Sequence, residues 1–303
     1  MSNCKRTSIG GQAVIEGVMM KGVDEIATAV RKPDGEIVIK KEKLKGNRKK
    51  IGKIPVLRGM YAFVDSMVLG VGCLMYSAEF FEEEEIKPGK KESKLDKFMN
   101  DNMIIIAVII SIMFSTGFFI LLPTVAVNFA HRISSNPFVL NIIEGIVRIA
   151  IFLIYILAVS RLEDIRRVFQ YHGAEHKTIF CYESGEELTV ENVKKHGRLH
   201  PRCGTSFLFI VMIVSILMFS LFKWPTLLVR LVTRILLLPI VAGLSYEVIK
   251  WAGRSDSSFS KFISAPGMWL QKITTAEPDE SQIEVAIAAL KGVLPADKEA
   301  DNW

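Results

Sequence analysis

Four long apolar runs decide what this chain can fold into. Met103 to Val127 reads MIIIAVIISIMFSTGFFILLPTVAV and carries no charge. Phe138 to Ser160 (FVLNIIEGIVRIAIFLIYILAVS) holds one acid and one base, and Ser206 to Phe222 (SFLFIVMIVSILMFSLF) holds no charge. Leu227 to Tyr246 (LLVRLVTRILLLPIVAGLSY) carries two arginines near its start. A helix of about 20 apolar residues crosses a bilayer, so the runs predict four transmembrane helices. Half of the residues are hydrophobic. A soluble domain can be that apolar, and it is the clustering that argues for a membrane. No signal peptide is expected, because no short apolar core with a cleavage site precedes Met103.

Orientation follows from lysine and arginine beside the runs. Lys87, Lys90, Lys91, Lys94 and Lys97 precede the first, and only Arg132 separates it from the second. The next connection is rich in bases from Arg161 to Arg202, the third has only Lys223, and Lys250, Arg254 and Lys261 follow the fourth. The alternation predicts both termini and the long middle loop in the cytoplasm. It also accounts for the formal charge of +6. No nucleic-acid partner is expected, since no basic patch interleaved with aromatics is present. Cys4, Cys73, Cys181 and Cys203 form no CxxC pair, which argues against a disulfide framework or zinc ribbon.

The expected fold class is an α-helical integral membrane protein with four transmembrane helices, a small β-rich cytoplasmic unit at the N-terminus and a cytoplasmic helical loop. The boundaries read 1–55 for the β-rich unit, 56–102 for an amphipathic or re-entrant helix with a charged linker, and 103–160 for the first two spans. Residues 161–205 form the His-rich loop, 206–246 the last two spans, and 247–303 a cytoplasmic tail. In the first unit, EIATAVRK and EIVIKKEK flank Pro33-Asp34-Gly35, a hairpin signal. Residues 56–81 are apolar but carry Arg58 and Asp65. They read equally as a helix against the membrane or one packed on the N-terminal unit. In the tail, Ile283, Ala286, Ile287 and Leu290 share one face of a short helix that would dock on the cytoplasmic domain.

The loop from Ser160 to Thr205 carries the chemistry. Ser160-Arg-Leu-Glu163 matches a capping box and predicts a helix start. Leu162, Ile165, Phe169, His172, His176 and Ile179 then recur at three- and four-residue steps, one stripe of that helix. Gly185 is a plausible stop, and Thr189 can cap a second short helix. His172-Gly-Ala-Glu175-His176 is an H-x-x-E-H sequence. Imidazoles four apart on a helix can hold one metal ion, and a neighbouring glutamate can take a proton from water. Inverzincin metallopeptidases share this spacing. His196, His200 and Cys203 follow in the same loop. A catalytic zinc needs a third protein ligand, and His200 or Cys203 is the best supplier. Glu16, His196 and Glu247 are further candidates as ligand or base. The bland alternative is a pair of hydrogen-bonded core histidines, or a basic surface suited to acidic headgroups.

Several blocks together resemble a known family: SIGGQAVIEGVMMKG (8 to 22), PVLRGM (55 to 60), YHGAEHKTI (171 to 179), HPRCGTSF (200 to 207) and PGMWLQKITTAEPDESQIEVAIAAL (266 to 290). They look like the YqhQ-like family of bacterial membrane proteins, described as predicted metal-dependent enzymes of undefined function. The resemblance implies a bacterial cytoplasmic membrane and places the family's motif residues on Glu16, His172, Glu175, His176, His200 and Cys203. Within the first block, Gly10-Gly11 can turn tightly or form an anion-binding nest. Glu16 there reads as a solvated turn residue in preference to a ligand.

Glu144 and Arg148 are four apart on the second span, and Arg230 and Arg234 lie in the fourth. Opposite charges at similar depth lower each other's cost in hydrocarbon, so Glu144 is expected to face Arg234 or Arg230, with Arg148 competing. The leading functional expectation is a metal-dependent hydrolase at the cytoplasmic face, acting on a membrane-associated peptide or lipid. His172 and His176 would bind a divalent metal, zinc foremost, with Glu175 as base. Membrane lipids are the expected partners. A scaffold with a structural metal or none, and a small transporter built on the intramembrane charges, are the rivals.

Overall fold

The structure, a computed structural model, describes residues 6–44, 54–81, 103–130, 136–222, 226–254, 257–297 and 300–301. The basic stretch 45–53, the charged linker 82–102, Cys4, Arg132 and Lys223 lie outside the described residues. The strands are β1 Gly10–Val14, β2 Gly17–Lys21, β3 Glu25–Arg31 and β4 Ile37–Lys43. The helices are α1 Leu57–Ala78, α2 Met103–Thr116, a π-helical turn Gly117–Leu121, α3 Leu122–Ala130, α4 Pro137–Val159, α5 Glu163–Glu183, α6 Val190–Lys194, α7 Gly204–Ser220, α8 Leu227–Arg254, α9 Ser258–Thr274 and α10 Glu280–Val293. The chain divides into two compact units. Met1–Glu82, Ile156–Val214 and Leu237–Trp303 form the first, and Glu83–Tyr155 with Ser215–Leu236 the second.

In the first unit the strands form an antiparallel meander in the order β1-β2-β3-β4. The hairpin expected around Pro33-Asp34-Gly35 joins β3 to β4, with Gly35 at φ 90°. Gly10 and Gly11, expected in a turn or nest, are strand residues instead. The tight turn comes later, at Glu16, which takes φ 48° between β1 and β2. A Cβ on Gly11 would lie 2.6 Å from the Met19 carbonyl oxygen and 2.9 Å from Glu175 Cγ, so the glycine is there to let a helix side chain reach the strand backbone. The alternation of strand side chains then builds two cores. Val18, Met20, Ala27 and Ala29 pack with Ile283, Ala286 and Leu290 of α10 and with Tyr171 and Ala174 of α5. Val14, Met19, Ile26 and Val30 face Cys73 of α1. The C-terminal helix therefore docks on the sheet as its apolar stripe predicted. It begins with a full capping box, the Asp279 side chain accepting from Gln282 N while Gln282 reaches back.

Four helices are long and apolar enough to cross a membrane: Leu57–Ala78, Ile109–Val127, Phe138–Val159 and Val232–Gly253. This set differs from the four expected runs. The third run forms a helix of only 17 residues, Gly204–Ser220. The fourth continues past Tyr246 to Arg254. Residues 57–78 join the set, their Arg58 and Asp65 being neutralised by Glu247 and by Lys21.

In the second unit, Glu144 Oε1 lies 2.8 Å from Arg148, 2.6 Å from Arg234 Nη1 and 3.2 Å from Thr124 Oγ1. Arg148 Nε also donates to the Phe119 carbonyl at 3.2 Å, inside the π-helical turn, where the wider winding disturbs the helix's own bonding. The expected neighbour pair of Glu144 and Arg234 is thus present, and Arg148 joins it rather than competing.

Candidate metal centre

The site lies in the first unit, on α5. From Tyr171 onward this helix is buried nearly all round, at Tyr171, Gly173 through Ile179 and Cys181, and not along a single stripe. The sheet covers one side and the segment after α9 the other. At the helix start, Leu162 and Ser160 are not the predicted buried residue and cap. Leu162 is 57% exposed and makes no side-chain cap bond, and the Ser160 hydroxyl donates to the Leu157 carbonyl. The expected stop is found, with Gly185 at φ 74°, and Thr189 caps α6 by accepting from Asn192 N.

Each site histidine is held from behind. His172 Nδ1 lies 2.8 Å from the Thr274 carbonyl oxygen, and His176 Nδ1 lies 2.5 Å from that of Arg198. A carbonyl can only accept, so both Nδ1 atoms carry a proton, and in the neutral imidazole the lone pair is then on Nε2. This backbone anchoring is what a metal-binding imidazole needs from its surroundings. Gly173 makes it possible on one side. A Cβ there would collide with the Ala276 carbonyl oxygen, so only glycine lets residues 274–278 lie against the helix and bring the Thr274 carbonyl to His172.

The front of the His172 ring meets sulfur. His172 Nε2 is 3.2 Å from Cys203 Sγ, and the ligand atoms of His172, His176 and Cys203 all lie within 4.8 Å of one another. Zinc bonds of about 2.0–2.3 Å place ligand atoms roughly 3–4 Å apart, so the group is close to the size required. Cys203 also receives the Thr205 amide N–H at 3.4 Å. His176 Nε2 is buried and has no hydrogen-bond partner among the described residues. A buried acceptor left this way costs about 1–3 kcal/mol, and a cation in the group would remove that cost.

Glu175 completes the arrangement. It is 5% exposed, and its Oε2 sits 3.9 Å from His172 Nε2 and 3.6 Å from His176 Nε2. Burial pushes its carboxyl above the ordinary range, against the opposing pull of His172 and of the Gly11 amide. In the sequence Glu175 stood beside the buried face. In the fold it points inward, because β1 closes over it.

The other expected residues lie elsewhere. His200 is buried, but its Nε2 is 3.6 Å from Glu183 and its backbone N–H and C=O are both held by Gln271. Burial drives its pKa down to about 4, so it is a neutral imidazole. Cys203, and not His200, is the residue grouped with His172 and His176 among the described residues. Glu16 is engaged bidentately by Arg167 at 2.5 Å and by Tyr171 at 3.1 Å, so it is a partly exposed turn carboxylate held by an ion pair, outside the metal group. Glu247 pairs with Arg58 and accepts from Val56 N. His196 lies 3.5 Å from Glu186 and groups with Cys181. An open cleft of about 530 Å³ is lined by Lys177, His196, Arg198 and Glu277 but by none of the three metal-group residues.

Gln271 and Thr274 had no sequence signal of their own. Gln271 bridges His200 and Ser206 Oγ, fixing the turn that delivers Cys203. Gly173, directly after His172, was the signal available for the close approach of residues 274–278.

Two comparisons place the chain among known proteins. Residues 54–296 match the family described as "Protein of unknown function (DUF1385)". The chain is 37% identical over 294 residues to "Uncharacterized protein YqhQ" of Bacillus subtilis (strain 168), covering 94% of this chain and 92% of that protein. No solved structure matches.

Proposed function

The chain belongs to the DUF1385 family, and from its site geometry we propose that it is a metal-dependent hydrolase of the bacterial cytoplasmic membrane, acting at the cytoplasmic face on a membrane-associated peptide or lipid. One observation carries the reading. Two imidazoles are locked at Nδ1 by backbone carbonyls, His172 Nε2 meets Cys203 Sγ at 3.2 Å, and His176 offers a ligand atom within 4.8 Å of both, beside a buried carboxylate. His172, His176 and Cys203 hold the cation, zinc being the ion best matched to nitrogen and sulfur ligands at this size. A bound divalent cation supplies Lewis acidity and an acidified water. Glu175 is the group placed to accept a proton, and its raised pKa suits a base working nearer neutrality than a surface carboxylate.

Membrane placement is supported by chain parity. The sheet, α5, α6 and α10 share one core, so they lie on one side of any bilayer. The chain between β4 and α5, and again between α6 and α10, must cross an even number of times. The pairs α2–α3 with α4, and α7 with α8, satisfy this. Helix α7 rises only about 25 Å at 1.5 Å per residue, and local thinning of the bilayer accommodates such a shortfall at modest cost. With the basic flanks on the inside, both termini and the site are cytoplasmic.

The second reading is a structural metal in a scaffold, favoured by the nearness of Glu175 Oε2 to both Nε2 atoms. If Glu175 ligates, the site has four protein ligands and is closed. Metal analysis of detergent-purified protein, prepared without chelator, tests both. Wild type is expected to hold one zinc per chain and His172→Ala/His176→Ala none. Cobalt-substituted protein should change its visible spectrum on adding azide if a coordination position is open. An unchanged spectrum, with metal lost in Glu175→Gln, supports the scaffold. No metal in wild type sinks both readings.

A further inference from the structure

Two helices of the first unit expose apolar faces among the described residues. On α1, the residues at 64, 67, 68, 71, 74 and 75 are exposed valine, methionine and leucine, with Val68 at 68%. Their spacing puts them on one face. The opposite face is bound to the sheet. Asp65 pairs with Lys21 at 2.8 Å, Thr28 Oγ1 meets Cys73 Sγ at 3.4 Å, and Ser77 Oγ accepts from Ile15 N at 3.2 Å. A Cβ on Gly70 would meet Gln12 Oε1 at 2.5 Å. From Asp65 to Ser77, then, α1 lies along a polar-edged sheet and cannot be threading hydrocarbon, although its length and composition would allow a crossing.

Helix α9 repeats the pattern. Phe259, Phe262 and Trp269 are exposed, Phe262 at 75%. Lys261 and Lys272 flank them on the exposed side. Its buried face carries Ser260, Gly267, Leu270, Gln271 and Thr274, and from it come the Gln271 bonds to His200 and the Thr274 carbonyl that anchors His172.

We propose that α1 and α9 are interfacial helices that seat the metal-bearing unit on the lipid bilayer, with α9 joining that surface to the site. The occupant is lipid, for three reasons. Apolar stripes of this width in water are costly. Exposed tryptophan and phenylalanine beside lysine match the interface between headgroup and acyl chain. Finally, α9 follows within a few residues the helix α8, whose Val232–Gly253 segment is long and apolar enough to cross. Such helices bury their apolar side about 5–10 Å into the boundary layer. The inference rests on the membrane reading above and deepens it: the substrate is met at the lipid surface, and His172 is positioned by a helix whose other face is in lipid.

Tryptophan quenching in nanodiscs of mixed phosphatidylethanolamine and phosphatidylglycerol tests this with the full chain. Two single-tryptophan proteins are made, one keeping Trp269 with the other tryptophans changed to Phe, and one with Val68→Trp in the tryptophan-free background. Quenching by lipids brominated near the top of the acyl chain should exceed quenching by acrylamide several-fold at both positions. Free quenching by acrylamide without bromolipid quenching overturns the proposal. Protection from both quenchers, with cross-linked dimers, shows instead that a second copy covers the face and also overturns it. Zinc measured on the same discs, and resistance of the chain to carbonate extraction, report separately on the metal site and on membrane insertion.

Discussion

Two buried polar clusters in this protein have opposite logic. In the second unit, the Glu144 carboxylate is met by Arg148, Arg234 and Thr124, so the cluster is closed in charge, although its hydrogen bonding is incomplete at Arg234 Nε. In the first unit, His172 and His176 are held at the rear by carbonyls, His172 Nε2 meets the Cys203 thiol, and both Nε2 atoms lie near the Glu175 carboxylate. Both sets cost free energy to bury. Only the second brings several ligand atoms within 4.8 Å of one another. An ionisable group in a span is a functional candidate by default, yet the pairing of opposite charges argues that the Glu144 cluster fastens helices together, and that chemistry belongs where several ligand atoms come together.

The largest expected effect breaks the closed cluster. Removing one partner of a buried ion pair costs about 3–5 kcal/mol. Glu144→Arg should sharply reduce the yield of folded, monodisperse protein in detergent, and adding Arg234→Glu should restore part of it. A double variant worse than the single one would show that the pair does not fasten these helices, and the transporter reading would regain weight.

Next in size is Gly173→Ala. The added Cβ collides with the Ala276 carbonyl oxygen, and overpacking of this kind costs about 1–3 kcal/mol. Because the displaced segment carries the Thr274 carbonyl, His172 loses its anchor as well. Zinc affinity should fall at least about tenfold, the lower range seen when outer-shell partners of a metal ligand are removed. Competition with a chromophoric chelator measures it. Unchanged affinity would mean that the Thr274 carbonyl does not orient the ligand.

A third substitution separates the clusters by sign. His176→Asn keeps an amide donor for the Arg198 carbonyl but deletes the orphaned Nε2. Chelator-stripped protein should be as stable as wild type or more so, by up to about 1 kcal/mol, since an unsatisfied buried acceptor is removed. Zinc binding should be lost. No substitution in the Glu144 cluster should behave this way. If His176→Asn destabilises the stripped protein strongly, Nε2 has a structural partner and the site is not poised for metal.

Much of this was legible in sequence, for definite reasons. The H-x-x-E-H spacing places two imidazoles on adjacent helical turns whatever surrounds them, and the β3–β4 hairpin is encoded by three consecutive turn residues. The pairing of Glu144 with Arg234 followed from matching charge and depth. What was not legible depended on partners distant in sequence. That His200 stands outside the His172, His176 and Cys203 group reflects Glu183, 3.6 Å from its Nε2, and Gln271, which holds its backbone. The Ser160 cap fails because its hydroxyl finds the Leu157 carbonyl before any free amide. Residues 57–78 were ambiguous because the same composition suits a span and an in-plane helix. Only the bonds from β1, β2 and β3 to one face of α1 separate the two.

The smallest effects give the sharpest contrast, because two threonines stand in equivalent relation to the two clusters. Thr124 Oγ1 lies 2.8 Å from the Ile120 carbonyl and 3.2 Å from Glu144 Oε1. Thr205 Oγ1 lies 3.4 Å from Cys203 Sγ, which also meets the Thr205 amide at 3.4 Å and His172 Nε2 at 3.2 Å. Valine is nearly isosteric with threonine and deletes only the hydroxyl. In the closed cluster, that hydroxyl helps to satisfy a carboxylate buried for the sake of the fold, so Thr124→Val should cost about 1 kcal/mol with or without zinc. At the open site, the backbone amide still reaches the sulfur, so Thr205→Val should leave stripped protein within a few tenths of a kcal/mol of wild type. Its loss should appear only in zinc affinity, weakened by a few-fold. Paired melts with and without chelator decide the matter. If Thr205→Val lowers the stripped melt as much as Thr124→Val does, the Cys203 thiol is part of a structural network, and the distinction between a closed cluster and an open one fails at its most sensitive point.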